Sequence, residues 1–437
     1  MALWLTKHYF EKQSIKINLV RLLPLIILVL LCFFQTINLP NWVHNILSSK
    51  SFEIWDNSRN ILSTISPYYD RDWFTLSIYP FATKNSLMLV LSYFLFGFFL
   101  SRYITNKSKL FIVIIPIILL AVIETAIGFY QSFIVYGITN SKSAHGTFVN
   151  KNHYAGLLEL LIPILIGLGL SFNKNWGSKS KISLSSLLNA DRFKQLIILN
   201  IVAATFIALI ISKSRMGIMS IVISLIFFFF LPSFITKNYK NFIWFIVISV
   251  LFFILLIFLI DITPVLDRFS ELSAAARIKV WKDCIGIITD FHLFGSGLGT
   301  FKYIYPLYKE NLKTAVDYNY AHNDYIYLLV ETGFIGFSCL TAGLIILFKD
   351  SIKYLRFHLK TSNPFGFFIT LGALCSVVSI LIHSLADFNL HIPANALIFT
   401  AMIGIIYGIN SKNNSKDIVK VKRVRKTKIG EPINSEV

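Results

Sequence analysis

An arginine set between two apolar runs is the first residue of this 437-residue chain that could do chemistry: Ser214-Arg215 separates residues 196–211 from 216–235. A charge in such a place is costly and usually marks a site. Other polar clusters recur before apolar runs. They are Lys84-Asn85, His145-Gly-Thr-Phe-Val-Asn150-Lys-Asn152-His153, His322-Asn323-Asp324, and Asp387-Phe-Asn-Leu-His391-Ile-Pro393. These residue types suit two kinds of work. Imidazole takes a proton near neutral pH, and guanidinium groups grip phosphates with a bidentate fork. Helix N-termini add unsatisfied N–H groups and partial positive charge, which favour an anion. Several such termini converging on one level, with Arg215 and Arg277 added, would suit a diphosphate near lipid headgroups. Lys84, Asn150, Asn152, Asn323, Asp324 and His391 are supporting candidates.

Each cluster also has a plainer explanation. Ser, Asn and Asp at helix starts are ordinary caps, and Pro393 just inside a helix is ordinary too. His322 alone reads equally well as an interfacial side chain or as a catalyst. The run Gly295-Ser-Gly297-Leu-Gly299 resembles a nucleotide loop only weakly, since no strand precedes it, and a close passage of backbone explains it better. Asp70-Arg-Asp72 could hold a divalent metal, but two carboxylates are few ligands and Arg71 opposes a cation, so a solvated loop pair is the better reading. Glu124 and Glu159 fit either a proton path or hydrogen-bonded interior groups. No three-ligand metal set is apparent, and no cofactor is expected.

The elements that must position these residues follow from composition. Hydrophobic residues make up 55% of the chain and charged residues 14%, against roughly 25% charged in a soluble domain. Mean hydropathy is +0.66. A soluble chain cannot hide that much apolar surface, so lipid is the solvent. Ten runs are long enough to cross it: residues 19–39, 87–103, 110–133, 154–172, 196–211, 216–235, 242–262, 325–348, 365–385 and 392–409. The expected fold is an all-α integral membrane protein of ten transmembrane helices, eleven or twelve being allowed by soft boundaries. The first run follows Lys7, Lys12 and Lys16 without a small-residue cleavage site and reads as a retained anchor. The four cysteines imply no disulfide framework.

Orientation follows from Lys and Arg. With residues 1–18 in the cytoplasm, inner segments carry 26 basic and 6 acidic residues, and outer segments 15 and 16. That is the positive-inside asymmetry. It divides the chain into helices one to seven over 19–260 with an outer loop at 40–86, a long outer loop at 261–324 and helices eight to ten over 325–409. A basic cytoplasmic tail follows at 410–437. The net charge of +19 then reflects topology and contact with anionic lipid, not nucleic acid. Within the long loop, residues 273–290 predict a helix whose stripe of Ile278, Trp281, Ile285 and Ile288 lies along the membrane boundary.

The ordered set His145-Gly-Thr-Phe-Val-Asn-Lys-Asn-His-Tyr-Ala-Gly, Ser214-Arg-Met-Gly, Arg277-Ile-Lys-Val-Trp281, Phe294-Gly-Ser-Gly-Leu-Gly-Thr-Phe301 and Ala321-His-Asn-Asp-Tyr-Ile, then Glu331-Thr-Gly-Phe-Ile-Gly336, resembles the O-antigen ligase and polymerase superfamily. The resemblance runs from about Glu124 to Ala396. It implies a metal-independent, inverting glycosyltransferase of the bacterial inner membrane with its active site facing the periplasm. Members take a glycan from undecaprenyl diphosphate. Ligases pass it to the lipid A core, polymerases to another lipid-linked repeat, and the protein O-oligosaccharyltransferase branch to Ser or Thr. Carried over, Arg215 and Arg277 bind the diphosphate, His322 is the base on the acceptor hydroxyl, and Lys84 or Arg71 supplies an early-loop cation. A lipid-linked glycan transporter is the competing class, but it would place charges at the midplane and show repeated halves. A metal-dependent oligosaccharyltransferase using Asp70 and Asp72 is a second alternative.

Overall fold

The computed structural model describes residues 19–66, 72–135, 137, 142–173, 189–240, 242–247, 272–310 and 319–410. Among them the chain is all-α apart from one two-stranded antiparallel sheet, β1 (Asn38–Pro40) against β2 (Trp73–Thr75). The helices are α1 (Leu19–Phe34), α2 (Asn41–Leu47), α3 (Ser49–Ser63), α4 (Pro80–Tyr103), α5 (Lys107–Phe129), α6 (Lys151–Ser171), α7 (Ala190–Ile211) and α8 (Arg215–Thr236). Then come α9 (Leu272–Asp290), α10 (Phe301–Ile304), α11 (Asp324–Lys360), α12 (Pro364–His383) and α13 (Pro393–Ile409). Seven described helices are long and apolar enough to cross a membrane, and α1 and α13 are shorter apolar helices.

Most expected runs are recovered with shifted ends. The second begins at Pro80, not 87, because Pro fits the first helical turn. The third continues past α5 as a π-helical turn over Tyr130–Val135. The eighth extends to Lys360, well beyond the apolar stretch. The seventh run, apart from helical residues 242–247, lies outside the described residues, as do 1–18, Asp70, Arg71 and the tail 411–437.

Helix α6 is the axis of the bundle. Its apolar residues run all round, and from His153 to Leu165 every side chain is buried, as expected of a helix surrounded by others. It packs on α12 through small residues: a Cβ on Gly372 would lie 2.6 Å from the Pro163 carbonyl, and one on Gly167 would strike the Phe368 carbonyl. Lipid tails are as apolar as Leu, so close packing of small residues drives helix association here. Leu157, Leu161, Leu165, Ile369, Leu374 and Met402 are buried in the resulting core.

Above it, α9, α10 and the start of α11 form a second apolar cluster around Val280, Cys284, Ile287, Phe301 and Tyr327. The helix expected over 273–290 is present as Leu272–Asp290, but its buried face is Val280, Cys284 and Ile287, while Ile278 and Ile285 are exposed. The exposed stripe is the one free to meet the membrane boundary.

The glycine run is a structural clasp. Gly299 N–H donates to Glu331 Oε2 at 2.7 Å and Phe301 N–H to Oε1 at 3.0 Å. Gly295, Gly297 and Gly299 all have positive φ, and a Cβ at Gly295 would strike the Glu331 backbone. The loop does bind an acid group, but that group is the protein's own Glu331 carboxyl. Helix α11 breaks at Gly333 (φ 61°, ψ −169°), whose neighbour Phe334 N–H reaches His292 O at 2.8 Å. Gln35, fully buried at the end of α1, closes the clasp. Its Nε2 donates to Phe294 O (2.6 Å) and Glu331 O (2.8 Å), and its Oε1 accepts from Leu298 N–H (3.1 Å).

Candidate functional site

The polar clusters before runs four, six, eight and ten meet at one place, and a turn after α12 organises them. Three successive carbonyls at the end of α12 are each taken by a different donor. Ser384 O accepts from Asp324 N–H (2.9 Å), Leu385 O from Asn323 Nδ2 (2.8 Å) and Ala386 O from Arg277 Nη1 (2.7 Å). The turn they fix presents Asp387, a carboxylate 1% exposed. Its Oδ2 accepts from Asn152 Nδ2 at 2.7 Å, and its Oδ1 accepts from Phe388 N–H at 2.9 Å. Asp387 Oδ1 lies 3.4 Å from His322 Nδ1 and 3.9 Å from His153 Nε2. Asn152 reaches the other way as well, its Oδ1 accepting from Ser214 Oγ at 3.0 Å. Ser214 caps α8 by accepting from Gly217 N–H, and Arg215 is the first residue of that helix.

One connected network therefore runs from His322 through Asp387 and Asn152 to the start of α8, with Arg277 tied in through Ala386. His322 keeps 26% of its side chain exposed. Its backbone is left-handed, φ 51°, in the residue before the α11 cap. A non-glycine residue held there is uncommon, though Lys213, Lys237 and Ser362 share the conformation. Phe388 forms the wall behind it: the His322 ring meets its face edge-on at 4.9 Å, His153 at 4.7 Å, and Tyr320 stacks flat at 4.0 Å. Burial opposes charge on Asp387. The hydrogen bond to His322, the charge of His383 and the Phe388 N–H outweigh it and hold the carboxyl well below the usual carboxylate range.

A second acid–imidazole pair braces the first. Asp324 accepts from His391 Nδ1 at 2.6 Å, from Ser384 Oγ at 2.7 Å and from Leu390 N–H at 3.1 Å. Burial disfavours charge on His391, but the hydrogen bond to Asp324 and the charges of Asp324 and Glu331 raise its pKa overall.

The expected site residues thus divide. His322, Arg277, Asn152, Asn323, Asp324 and His391 join the network, and Arg215 sits beside its Ser214 end. Asn150 is an α6 cap, accepting from Asn152 N–H at 2.9 Å. Lys84 is exposed on the first turn of α4 and is not among the residues joined here. His145 turns to Phe148 O, and its loop is clamped by Gln131. Trp281 Nε1, on the same helix as Arg277, donates to Ala321 O at 2.8 Å, and Arg277 Nη1 to Ala386 O. Asp72 is 82% exposed and meets Arg59 at 3.5 Å, while Asp70, its expected pair, lies outside the described residues. Glu124 is a hydrogen-bonded interior group, accepting from Thr147 N–H and Oγ1. Among the described residues, no three His, Cys, Asp or Glu side chains are grouped so as to hold a metal ion.

Asp387 is the residue that sequence reasoning underrated. It belonged to a recognised cluster, and a lone acid between two apolar runs was the available signal. His153, one position past Asn152, was likewise passed over as part of a motif.

The chain is thus an all-α membrane bundle that brings a His–Asp pair into one network with Arg277 of α9 and the Ser214–Arg215 start of α8. Residues 200–341 match the family model described as O-Antigen ligase. That match spans about a third of the chain and supports its likeness to the O-antigen ligase and polymerase superfamily, whose members are glycosyltransferase-like enzymes acting on lipid-linked glycans and glycan acceptors. The matched segment contains Arg215, Arg277 and His322, whereas Asn152 and Asp387 come from outside it. No curated protein matches the chain.

Proposed function

We propose that this protein transfers a glycan from undecaprenyl diphosphate to an acceptor hydroxyl, that of the lipid A core, at the periplasmic face of the bacterial inner membrane. The observation that carries the reading is the contact of His322 with buried Asp387, in one network with the start of α8 and Arg277. Asp387 holds the Nδ1 side of the imidazole and leaves Nε2 to take the acceptor proton. The acceptor oxygen attacks the anomeric carbon as the bond to the diphosphate breaks, and the electron pair leaves with the diphosphate. Asp387 stabilises the imidazolium that forms.

Arg215 and Arg277 neutralise charge developing on the departing diphosphate, a task a guanidinium fork performs without a metal. A guanidinium has five N–H donors, and Ala386 O accepts from one of Arg277's. A single displacement of this kind inverts the anomeric centre. The half-exposed ring of Tyr320, stacked on Phe388, flanks the place where the acceptor would lie.

The test is transfer by purified protein in detergent from an undecaprenyl-diphosphate-linked oligosaccharide to lipid A core. A transporter forms no product. Deletion followed by glycolipid analysis separates the branches. Loss of long-chain polysaccharide from the core, with lipid-linked polymer accumulating, supports a ligase, and core carrying a single repeat would replace that reading with a polymerase.

A further inference from the structure

Glu159 is used by none of the chemistry above, and His383 enters it only as a charge acting on Asp387. Both are fully buried, with His383 Nδ1 3.1 Å from Glu159 Oε1. Ionisable groups inside spans are expensive and are kept for function more often than for stability. Their placement relative to Asp387 is specific. His383 is the last residue of α12, four positions before Asp387 in the same descending turn. Glu159 lies on α6, the helix that holds Asp387 through Asn152 at 2.7 Å and faces it with His153 at 3.9 Å. The same two elements are therefore joined at two levels, each by a carboxylate. The lower level is not a saturated clasp. Glu159 Oε2, His383 Nε2 and His153 Nε2 are buried without a hydrogen-bond partner among the described residues. Buried polar atoms in native proteins are nearly always paired, so three orphans in one region call for an explanation other than packing.

We propose that the His383–Glu159 pair is a positioning pair for the transfer reaction, acting through Asp387 on His322. It rests on the reading of His322 as the base. His383 is the member on Asp387's own element, four residues before that carboxylate. The charge of His383 is among the causes that keep Asp387 ionised. Removing a positive charge from behind Asp387 would leave that carboxylate a stronger attractor of a proton on His322, whose Nδ1 lies 3.4 Å from it. The other groups facing this centre are His153 from α6, Arg215 from α8, Arg277 from α9, Asp324 from α11 and His391 from the turn before α13.

The experiment measures the pH profile of transfer in detergent, with undecaprenyl-diphosphate-linked oligosaccharide and lipid A core as probes. Parent protein is compared with Glu159→Gln, His383→Gln and the double variant Glu159→Leu/His383→Leu. Replacing a buried ion pair by apolar residues is often neutral for folding, so the double variant covers the case in which a single one does not fold. A second readout needs no substrate: the His322 ring signals of 15N-histidine-labelled protein followed through pH, assigned by their loss in His322→Ala.

Loss of the pair is expected to move both the acid limb of transfer and the His322 signals upward by roughly half a pH unit or more. Donor KM should stay at the parental value, and the double variant should shift no further than the single ones. Profiles that coincide with the parent within about 0.2 unit, with only yield or thermal stability reduced, would overturn the proposal and leave a structural clasp. A downward shift would overturn it too. Transfer retained by His322→Ala would instead refute the base itself, and the ring signals would still report whether the pair acts on that imidazole.

Discussion

Replacing Asp387 by Asn keeps the shape of the side chain and removes the one property on which the network depends. The two carboxylate oxygens face donors on both sides: Asn152 Nδ2 at 2.7 Å on one, Phe388 N–H at 2.9 Å and His322 Nδ1 at 3.4 Å on the other. An amide has one acceptor and one donor end, so either orientation turns an NH2 toward a donor in a site where the side chain is 1% exposed. The lost charge-assisted hydrogen bond is worth about 1.5–3 kcal/mol, and a buried donor left unpaired costs about 1–3 kcal/mol more. Together these give about 2.5–6 kcal/mol, or roughly 10²–10⁴-fold at 1.36 kcal/mol per decade.

The loss should fall on turnover and not on donor KM, because the arginines are untouched. Asp387 is held well below the ordinary carboxylate range, so the stability it contributes is present above an unfolded pKa of about 3.9. That contribution is lost only as pH falls through the lower folded value. The deficit of the Asn variant should accordingly be present throughout pH 5–9. The assay is turnover at saturating donor, with folded protein matched by gel filtration in detergent. An Asp387→Asn protein with more than about a tenth of parental turnover, or with its whole deficit in donor KM, would refute the reasoning.

Three other outcomes are expected. Arg215→Lys keeps the charge and loses the planar fork, so transfer should drop substantially, and full activity in Arg215→Ala at matched protein level would contradict a diphosphate role. The raised pKa of His391, from its contacts with Asp324, means stability present below an imidazole's usual value of about 6.5 and lost as pH rises through the raised folded value. Thermal melts at pH 6 and 9 should therefore differ in the parent and converge in His391→Asn. A reporter fused after Val437 should lie in the cytoplasm and one near Lys309 outside. Finding both on one side would sink the ten-span topology, while transfer abolished by chelator and restored by magnesium would transfer the chemistry to Asp70 and Asp72.

Spans and polar clusters were legible because both are local patterns. Arg215 stood out against apolar neighbours, and His322-Asn323-Asp324 announced a helix start. What local pattern cannot carry is which cluster touches which. Asn152 and Asp387 are 235 positions apart and meet at 2.7 Å, and nothing in either neighbourhood says so. The clusters also mixed roles: in the stretch from His145 to His153, Asn150 only caps, His145 only braces its loop, and Asn152 and His153 reach the carboxylate. Which face of α9 packs on the protein was not legible for a similar reason. Its Ile278–Ile285 stripe is apolar enough for a core, but Val280, Cys284 and Ile287 form an equally apolar stripe, and only the partner surface of α10 and α11 decides which is buried.

The clasp around Gln35 has a consequence for how the chain is made. Its bonds join Gln35 to Phe294 and Glu331, 259 and 296 positions later. At ribosomal rates of about 5–20 residues per second, the partners emerge on the order of 13–60 s after Gln35 itself. For that interval the first helix ends in a primary amide without its folded-state partners, and a polar group left unsatisfied in lipid costs several kcal/mol. Biogenesis therefore has a vulnerable window, closed only when the eighth apolar run is in place. Until then the nascent chain depends on the insertion machinery, or on water at the membrane surface, to shelter that side chain.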